Sequence, residues 1–334
     1  MVTTAPVAHV KSLDLSQIPR GTVARLWLHL INDGIGAPVR IPLIVARGAH
    51  DGPVLGITAA IHGNELNGIP VIQHLFHNDL RVDKMRGTVV GALVINVPGL
   101  LRRQRDFNDG VDLNRIAPGK ANGTESAVYV HRVVDRIIRH FDYHLDLHTA
   151  STGRVNSFYV RADMSSDEAA KLAKLQNAQI IVDNKAGDGT LRGAASDLGI
   201  KSITIELRDP HIMQHGVVED SLIGIRNVLH YLRLQVGPLL CPMKQTVLCQ
   251  GSYWMYTDEG GILSVLPRVA ERVAKGQLIA EVRDIFGDVT REYHAPEDGI
   301  VVGRSVDPIN QTGSRILHLG TNPVEIPCLI DESA

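Results

Sequence analysis

His62 and Glu65 stand three residues apart in AAIHGNELNGIP (59–70), where an apolar run ends. An imidazole and a carboxylate so spaced on one turn can face one metal ion. A catalytic zinc takes three protein ligands of this kind and keeps a position open for water. The third ligand can come from far along the chain. His148 is the best candidate, at the end of a second apolar stretch, YHLDLHTA (143–150). Two histidines and a glutamate suit zinc better than a soft metal. His-x-x-Glu alone arises often by chance, and the chain has 15 histidines. Most of them, including His74, His77, His140, His144 and His230, read as surface or boundary residues.

The elements around these residues give the pair a frame. Two extended runs, TVARLWLHLI and PVRIPLIVARG, flank the Gly-rich NDGIGA and predict a hairpin within 20–50. PVLGITAAIHG (53–63) is a continuous apolar run, as expected of a strand buried on both faces. Residues 64–80 have helical spacing, with Ile69, Ile72, Leu75 and Phe76 on one face. Further strands are expected over 87–100, 143–150 and 202–208, and helices over 124–140, 166–180 and 216–234. Alternating strands and helices predict a layered α/β sheet. In such sheets sites gather at the carboxyl ends of strands. His62, His148 and Glu206 each fall at such an end.

From residue 241 the helical periodicity is lost. GGILSVLPRVAERVAKGQLIAEV (260–282) and DGIVVGRSVDPINQTGSRILHLG (298–320) share an opening Gly-Ile-aliphatic and a late glycine, Gly276 or Gly313. This repeat resembles the two halves of a biotinyl/lipoyl-type β domain. Those carriers hold a lysine in the joining turn, and RDIFGDVTREYHAPE has none. The expectation is two domains, 1–240 and 241–334, the second with the scaffold and without the carrier chemistry. Its apolar alternation suits either a cap over the active site or a contact between copies in a homo-oligomer.

Composition narrows the function. The chain has 334 residues, 44% of them hydrophobic, enough for a large core. A formal net charge of −2 and 4% aromatic residues leave no basic stripe and few stacking platforms, so nucleic acid is not expected as a partner. No run approaches the roughly 20 apolar residues of a membrane helix, and the N-terminus lacks the apolar core of a signal peptide. Cys241, Cys249 and Cys328 are sparse and odd in number, which suggests free thiols and a cytoplasmic protein.

Three motifs occur in order: HGNE (62–65), VDLNR (111–115) and DLHT (146–149). Together they resemble the succinylglutamate desuccinylase/aspartoacylase family of the zinc carboxypeptidase clan, over residues 40–235 and the β-rich tail. The resemblance implies a three-layer α/β/α catalytic domain with a mostly parallel or mixed sheet, followed by a small all-β barrel-sandwich domain. It implies one zinc per chain on His62, Glu65 and His148. Asp112 matches the carboxylate that holds the first histidine. Asn114 and Arg115 match the pair that grips the substrate α-carboxylate, a task suited to a planar guanidinium. Arg105 matches the arginine that polarises the scissile carbonyl, with Arg102 and Arg103 as alternatives. Glu206, in TIELR, matches the general base.

The implied reaction is hydrolysis of the linear amide of a small N-acyl amino acid by a metal-activated water. HTASTGR (148–154) departs from true aspartoacylases. The N-terminal hairpin and the tail are closer to family members that deacylate acetylated diamino acids. The alternatives are a metallocarboxypeptidase using the same residues, a carrier module, and a ligand-binding relic without turnover.

Overall fold

The computed structural model describes residues 7–187 and 189–328. The first part of the chain holds β1 (Ala8–Val10), β2 (Thr22–Asn32), β3 (Pro38–Arg47), β4 (His50–Ala59), α1 (Gly68–His74), β5 (Arg86–Ala92), α2 (Val97–Arg102) and α3 (Glu125–Arg136). Then come β6 (Tyr143–His148), β7 (Arg154–Asn156), β8 (Phe158–Ala162), α4 (Asp167–Leu175), β9 (Ile180–Asp183), α5 (Leu191–Asp197), β10 (Lys201–Leu207) and α6 (His215–Tyr231). The tail forms β11 (Gln245–Tyr256), β12 (Gly261–Val265), β13 (Arg272–Val273), β14 (Leu278–Arg283), β15 (Val289–His294), β16 (Gly299–Ser305), β17 (Ile309–Asn310) and β18 (Arg315–Pro327).

One mixed sheet runs through the molecule in the order β1-β2-β3-β5-β4-β6-β10-β8-β9-β11-β18-β16-β13. Its centre, β5-β4-β6-β10, is parallel. The β2–β3 hairpin joins it antiparallel through β3–β5. The hairpin turn is fixed by Asp33, whose Oδ1 accepts from the N–H groups of Ile35 and Ala37, and by Gly36 at a positive φ of 82°. Helices cover both faces. Val71, Ile72, Leu172, Leu222 and Ile225 of α1, α4 and α6 pack on Ile57, Leu147 and Ile205. On the other face Tyr129, Val133, Leu191 and Ala194 of α3 and α5 pack on Val45, Val90 and Ala92. This is the expected three-layer α/β/α arrangement.

Strand alternation decides what the site receives. Successive side chains of a strand point to opposite faces. Leu145 and Leu147 of β6 enter the first core, as do Ile203 and Ile205 of β10. His144, Asp146 and His148, with Thr204 and Glu206, therefore share the opposite face.

Several boundaries differ from expectation. The helix over 64–80 begins only at Gly68 and ends in a π turn, Leu75–Asp79, so Glu65 lies in a loop. The strand over 87–100 stops at Ala92, and α2 follows with Asn96 as its cap, accepting from Gly99 N–H. Short runs at 154–162, 180–183 and 191–197 form β7, β8, β9 and α5, which are too brief for periodicity to show. His144 is fully buried rather than a surface residue, because alternation within β6 turns it inward.

The tail continues the main sheet, since β11 pairs parallel with β9. A second sheet, β15-β14-β12-β17, closes a β sandwich over Leu263, Ile279, Val282, Val301 and Ile316. The two repeats interlock: β12 of the first pairs with β17 of the second, and β13 with β16. Gly276 and Gly313 take matching positive φ values of 84° and 87° in equivalent turns. Cys241 and Cys328 are joined in a disulfide, which corrects the expectation of free thiols. Their 87-residue separation hid this, and the antiparallel β11–β18 pair brings them together. Cys249 is free and buried. No helix among the described residues is long and apolar enough to cross a membrane.

Ile203 is fully buried at the sheet centre. Ile203→Ala is expected to cost about 2–5 kcal/mol through lost burial and the cavity left behind, measured by urea denaturation.

Candidate active site

The loop after β4 turns sharply. Ala60 has a positive φ of 51°, and the carbonyls of Ala59 and Ala60 accept from the N–H groups of Ile95 and Asn96. Gly63 lies against the α2 backbone so closely that a Cβ would sit 2.0 Å from the Gly99 carbonyl carbon. This packing drives His62 and Glu65 inward, each 2% exposed.

There they meet His148. Glu65 Oε1 lies 2.7 Å from His62 Nδ1, and Glu65 Oε2 lies 2.9 Å from His148 Nδ1. Oε2 also accepts from the Thr149 N–H at 2.9 Å. Candidate ligand atoms of the three residues fall within 4.8 Å of one another. Each histidine is held by its outer nitrogen: His62 Nε2 is 3.1 Å from Asp112 Oδ1, and His148 Nε2 is 3.0 Å from Asp146 Oδ2. Such carboxylates set the tautomer and turn the other nitrogen toward a metal. His62 Nδ1 is buried without a well-formed hydrogen bond. Two inward nitrogens, one of them orphaned, and a carboxylate make the donor set that zinc takes.

The electrostatics are those of a tightly coupled buried cluster. Burial pushes the Glu65 carboxyl up, but the two imidazoles hold it well below the usual carboxylate range. Burial lowers His148, yet Asp146 and Glu65 outweigh it and raise the imidazole well above its ordinary value. Asp146 is held down to about 2, against burial, chiefly by His148.

Glu206 is the residue opposite His148 across β6–β10. Its Oε2 accepts from Asn156 Nδ2 at 3.1 Å, and its Oε1 lies 3.6 Å from Arg161 Nε. Burial raises its pKa, opposed in part by Arg161. Arg161 also donates through Nε and Nη2 to the Tyr159 hydroxyl, at 3.1 and 2.6 Å.

These groups line a cavity of about 650 Å³. Arg105 reaches it and donates to Asp112 Oδ2 at 2.9 and 3.1 Å, to Glu65 Oε1 at 3.1 Å and to Ser151 Oγ. Arg102 and Arg103 are exposed and line no part of it. Asn114 Oδ1 accepts from the Leu191 N–H at 2.7 Å, which leaves its NH₂ group for the cavity. Arg115 lines the rim with two-thirds of its side chain exposed, 3.9 Å from Asp112.

Sequence reasoning missed Asp146, behind His148, and several residues that line the cavity. Asp146 had a signal, the D-x-H spacing in alternating HLDLH. Asn156, Tyr159 and Arg161 sit on strands too short to detect. Trp254 and Arg315 come from the tail, with Arg154 5.5 Å and Arg315 5.4 Å from the Trp254 ring. Seven cationic side chains and three carboxylates line the cavity, so it favours an anionic guest.

The model of the succinylglutamate desuccinylase/aspartoacylase catalytic domain matches residues 51–232. The chain belongs to this family. The match runs from β4 to the end of α6, and the N-terminal hairpin and the tail lie outside it. A curated relative, N-alpha-acetyl-L-2,4-diaminobutyric acid deacetylase from Halomonas elongata, is 26% identical over 282 residues, 80% of this chain and 81% of its own. Among solved structures, the product-bound ectoine utilization protein EutE (DoeB) from Ruegeria pomeroyi superposes with a TM-score of 0.82 at 22% identity, over 92% of this chain and 98% of that one. A family protein from Rhodobacter sphaeroides gives 0.81 at 21% identity, over 91% and 97%. At these identities the structures show a shared fold, tail included.

Gly63→Ala is expected to displace the His62–Glu65 loop while the sheet stays intact. Zinc per chain by elemental analysis should fall well below the wild-type value with an unchanged far-ultraviolet circular dichroism spectrum. Full zinc loading would show that the Gly63–Gly99 contact does not position the pair.

Proposed function

We propose that the protein is a zinc-dependent deacylase that hydrolyses the linear amide of a small N-acyl amino acid. The observation that carries this reading is the buried His62–Glu65–His148 cluster with Glu206 beside it, opening into a cation-rich cavity. One zinc per chain would be held by His62 Nδ1, His148 Nδ1 and Glu65. A zinc ion so held polarises a carbonyl and lowers the pKa of a water molecule.

The chain's own residues do the rest. Glu206 takes the proton of the attacking water and returns it to the leaving amine. Its burial suits this, because a base with a raised pKa holds the proton better. Arg105 offers its guanidinium to the developing oxyanion once substrate displaces its contacts with Glu65 and Ser151. Asn114 and Arg115 hold the amino-acid carboxylate, which orients the amide over the metal ligands. Trp254 and Arg315 wall the cavity from the tail and limit substrate size. The Cys241–Cys328 bond removes the free-thiol argument on which a cytoplasmic location rested.

Glu206→Gln is expected to lower kcat by at least about 100-fold with zinc content unchanged. Near-wild-type turnover would remove Glu206 as the base. The pH profile follows from the same assignment. Glu206 must be ionised to accept a proton, and burial raises its pKa. Activity should therefore fall as pH drops through a value above the ordinary glutamate range, and this acid limb should be absent in the residual activity of Glu206→Gln.

A substrate panel separates deacylase from carboxypeptidase. N-acetyl and N-succinyl amino acids should be cleaved with higher kcat/KM than dipeptides. The reverse order would make the protein a carboxypeptidase.

A further inference from the structure

Behind His148, the polar face of the sheet carries a hydrogen-bond chain that no step of the reaction uses. Asp146 Oδ1 accepts from Thr58 Oγ1 at 2.6 Å. Thr58 Oγ1 lies 2.8 Å from His144 Nε2, and His144 Nδ1 lies 2.9 Å from Ser202 Oγ. Thr58 and His144 are fully buried, Asp146 is 1% exposed and Ser202 5%. Sheet register builds the chain: Thr58 is the partner of Asp146 across β4–β6, and Ser202 is the partner of His144 across β6–β10.

The direction of every bond follows from counting hydrogens. A carboxylate only accepts, and a threonine hydroxyl has one hydrogen to give. Thr58 gives it to Asp146, so the Thr58 oxygen must accept from His144 Nε2–H. Burial lowers the His144 pKa to about 4, so the ring is neutral near pH 7 and carries that single N–H. Its Nδ1 then accepts from the Ser202 hydroxyl. All the donors point toward Asp146, and bonds aligned in this way polarise one another. Among the described residues Asp146 makes an ion pair within 4 Å only with His148, whereas Asp112 also binds Arg105. The chain is thus the anchor that holds the Asp146 carboxylate in place.

We infer that Thr58, His144 and Ser202 are positioning residues, which fix Asp146 so that His148 keeps its proton on Nε2 and presents Nδ1 to the metal. This rests on the metal reading of the proposed function. The bland alternative is that the chain only satisfies buried polar groups, in which case its loss would lower stability and leave metal affinity alone.

Thr58→Val keeps the side-chain shape and removes both hydrogen bonds. Zinc affinity, measured by competition with a chromophoric chelator, should weaken by about 10-fold, at the lower end of what loss of an outer-shell partner costs. Thr58→Ser should restore it. Ser202→Ala, at the far end, should give a smaller loss and covers the case in which Thr58→Val does not fold. Nitrogen-15 chemical shifts should place the His144 proton on Nε2 in the wild type, with or without zinc. Zinc affinity in Thr58→Val and Ser202→Ala within about two-fold of wild type, or a His144 proton on Nδ1, would overturn the inference. A wild-type protein with the expected His144 tautomer and no zinc affinity would overturn the proposed function, and the metal-positioning role with it.

Discussion

The Glu65 carboxylate, clasped between two imidazoles and 2% exposed, is the constraint on which the rest of the site depends. A buried charge is costly unless it is paired and hydrogen-bonded. Glu65 meets that condition with His62, His148, Arg105 and the Thr149 N–H. None of these partners is its sequence neighbour on a helix. They come from three segments: His62 from Glu65's own loop after β4, His148 and the Thr149 N–H from the end of β6, and Arg105 from the loop after α2. The close approach of Gly63 to Gly99 and the alternation of β6 are what bring these groups to Glu65.

The same alternation divides β6 into two roles. Leu145 and Leu147 bind the sheet to α1 and α6, while His144, Asp146 and His148 form a polar file on the opposite face. One strand thereby couples the stability of the core to the orientation of a candidate metal ligand. The tail takes part as well. Because β11 extends the main sheet, Trp254 and Arg315 reach the cavity without a separate hinge. A small β sandwich with no lysine in its joining turn becomes a wall of the cavity.

Much of this was legible in the sequence because it rests on local pattern. The apolar run before His62 and the amphipathic run before residue 140 place β4 and α3. HGNE, VDLNR and DLHT name in order the candidate site residues that the structure brings together. What escaped rests on long-range geometry. β7, β8 and β9 are three to five residues long, below the length at which a period can be read. Glu65 shows helical spacing with Ile69 and Ile72, but the tight packing of the loop delays the helix to Gly68. His144 reads as a surface histidine until Thr58 and Ser202 arrive from neighbouring strands. The pairing of Cys241 with Cys328 depends on the antiparallel return of β18, which no spacing reveals.

The central claim is that two histidines and a glutamate from separate segments hold one metal. Elemental analysis of the protein purified without added metal, wild type and His148→Ala in parallel, tests it most directly. About one zinc per chain in the wild type, lost in the variant, is the expected result. No metal in either, or equal zinc in both, would contradict it.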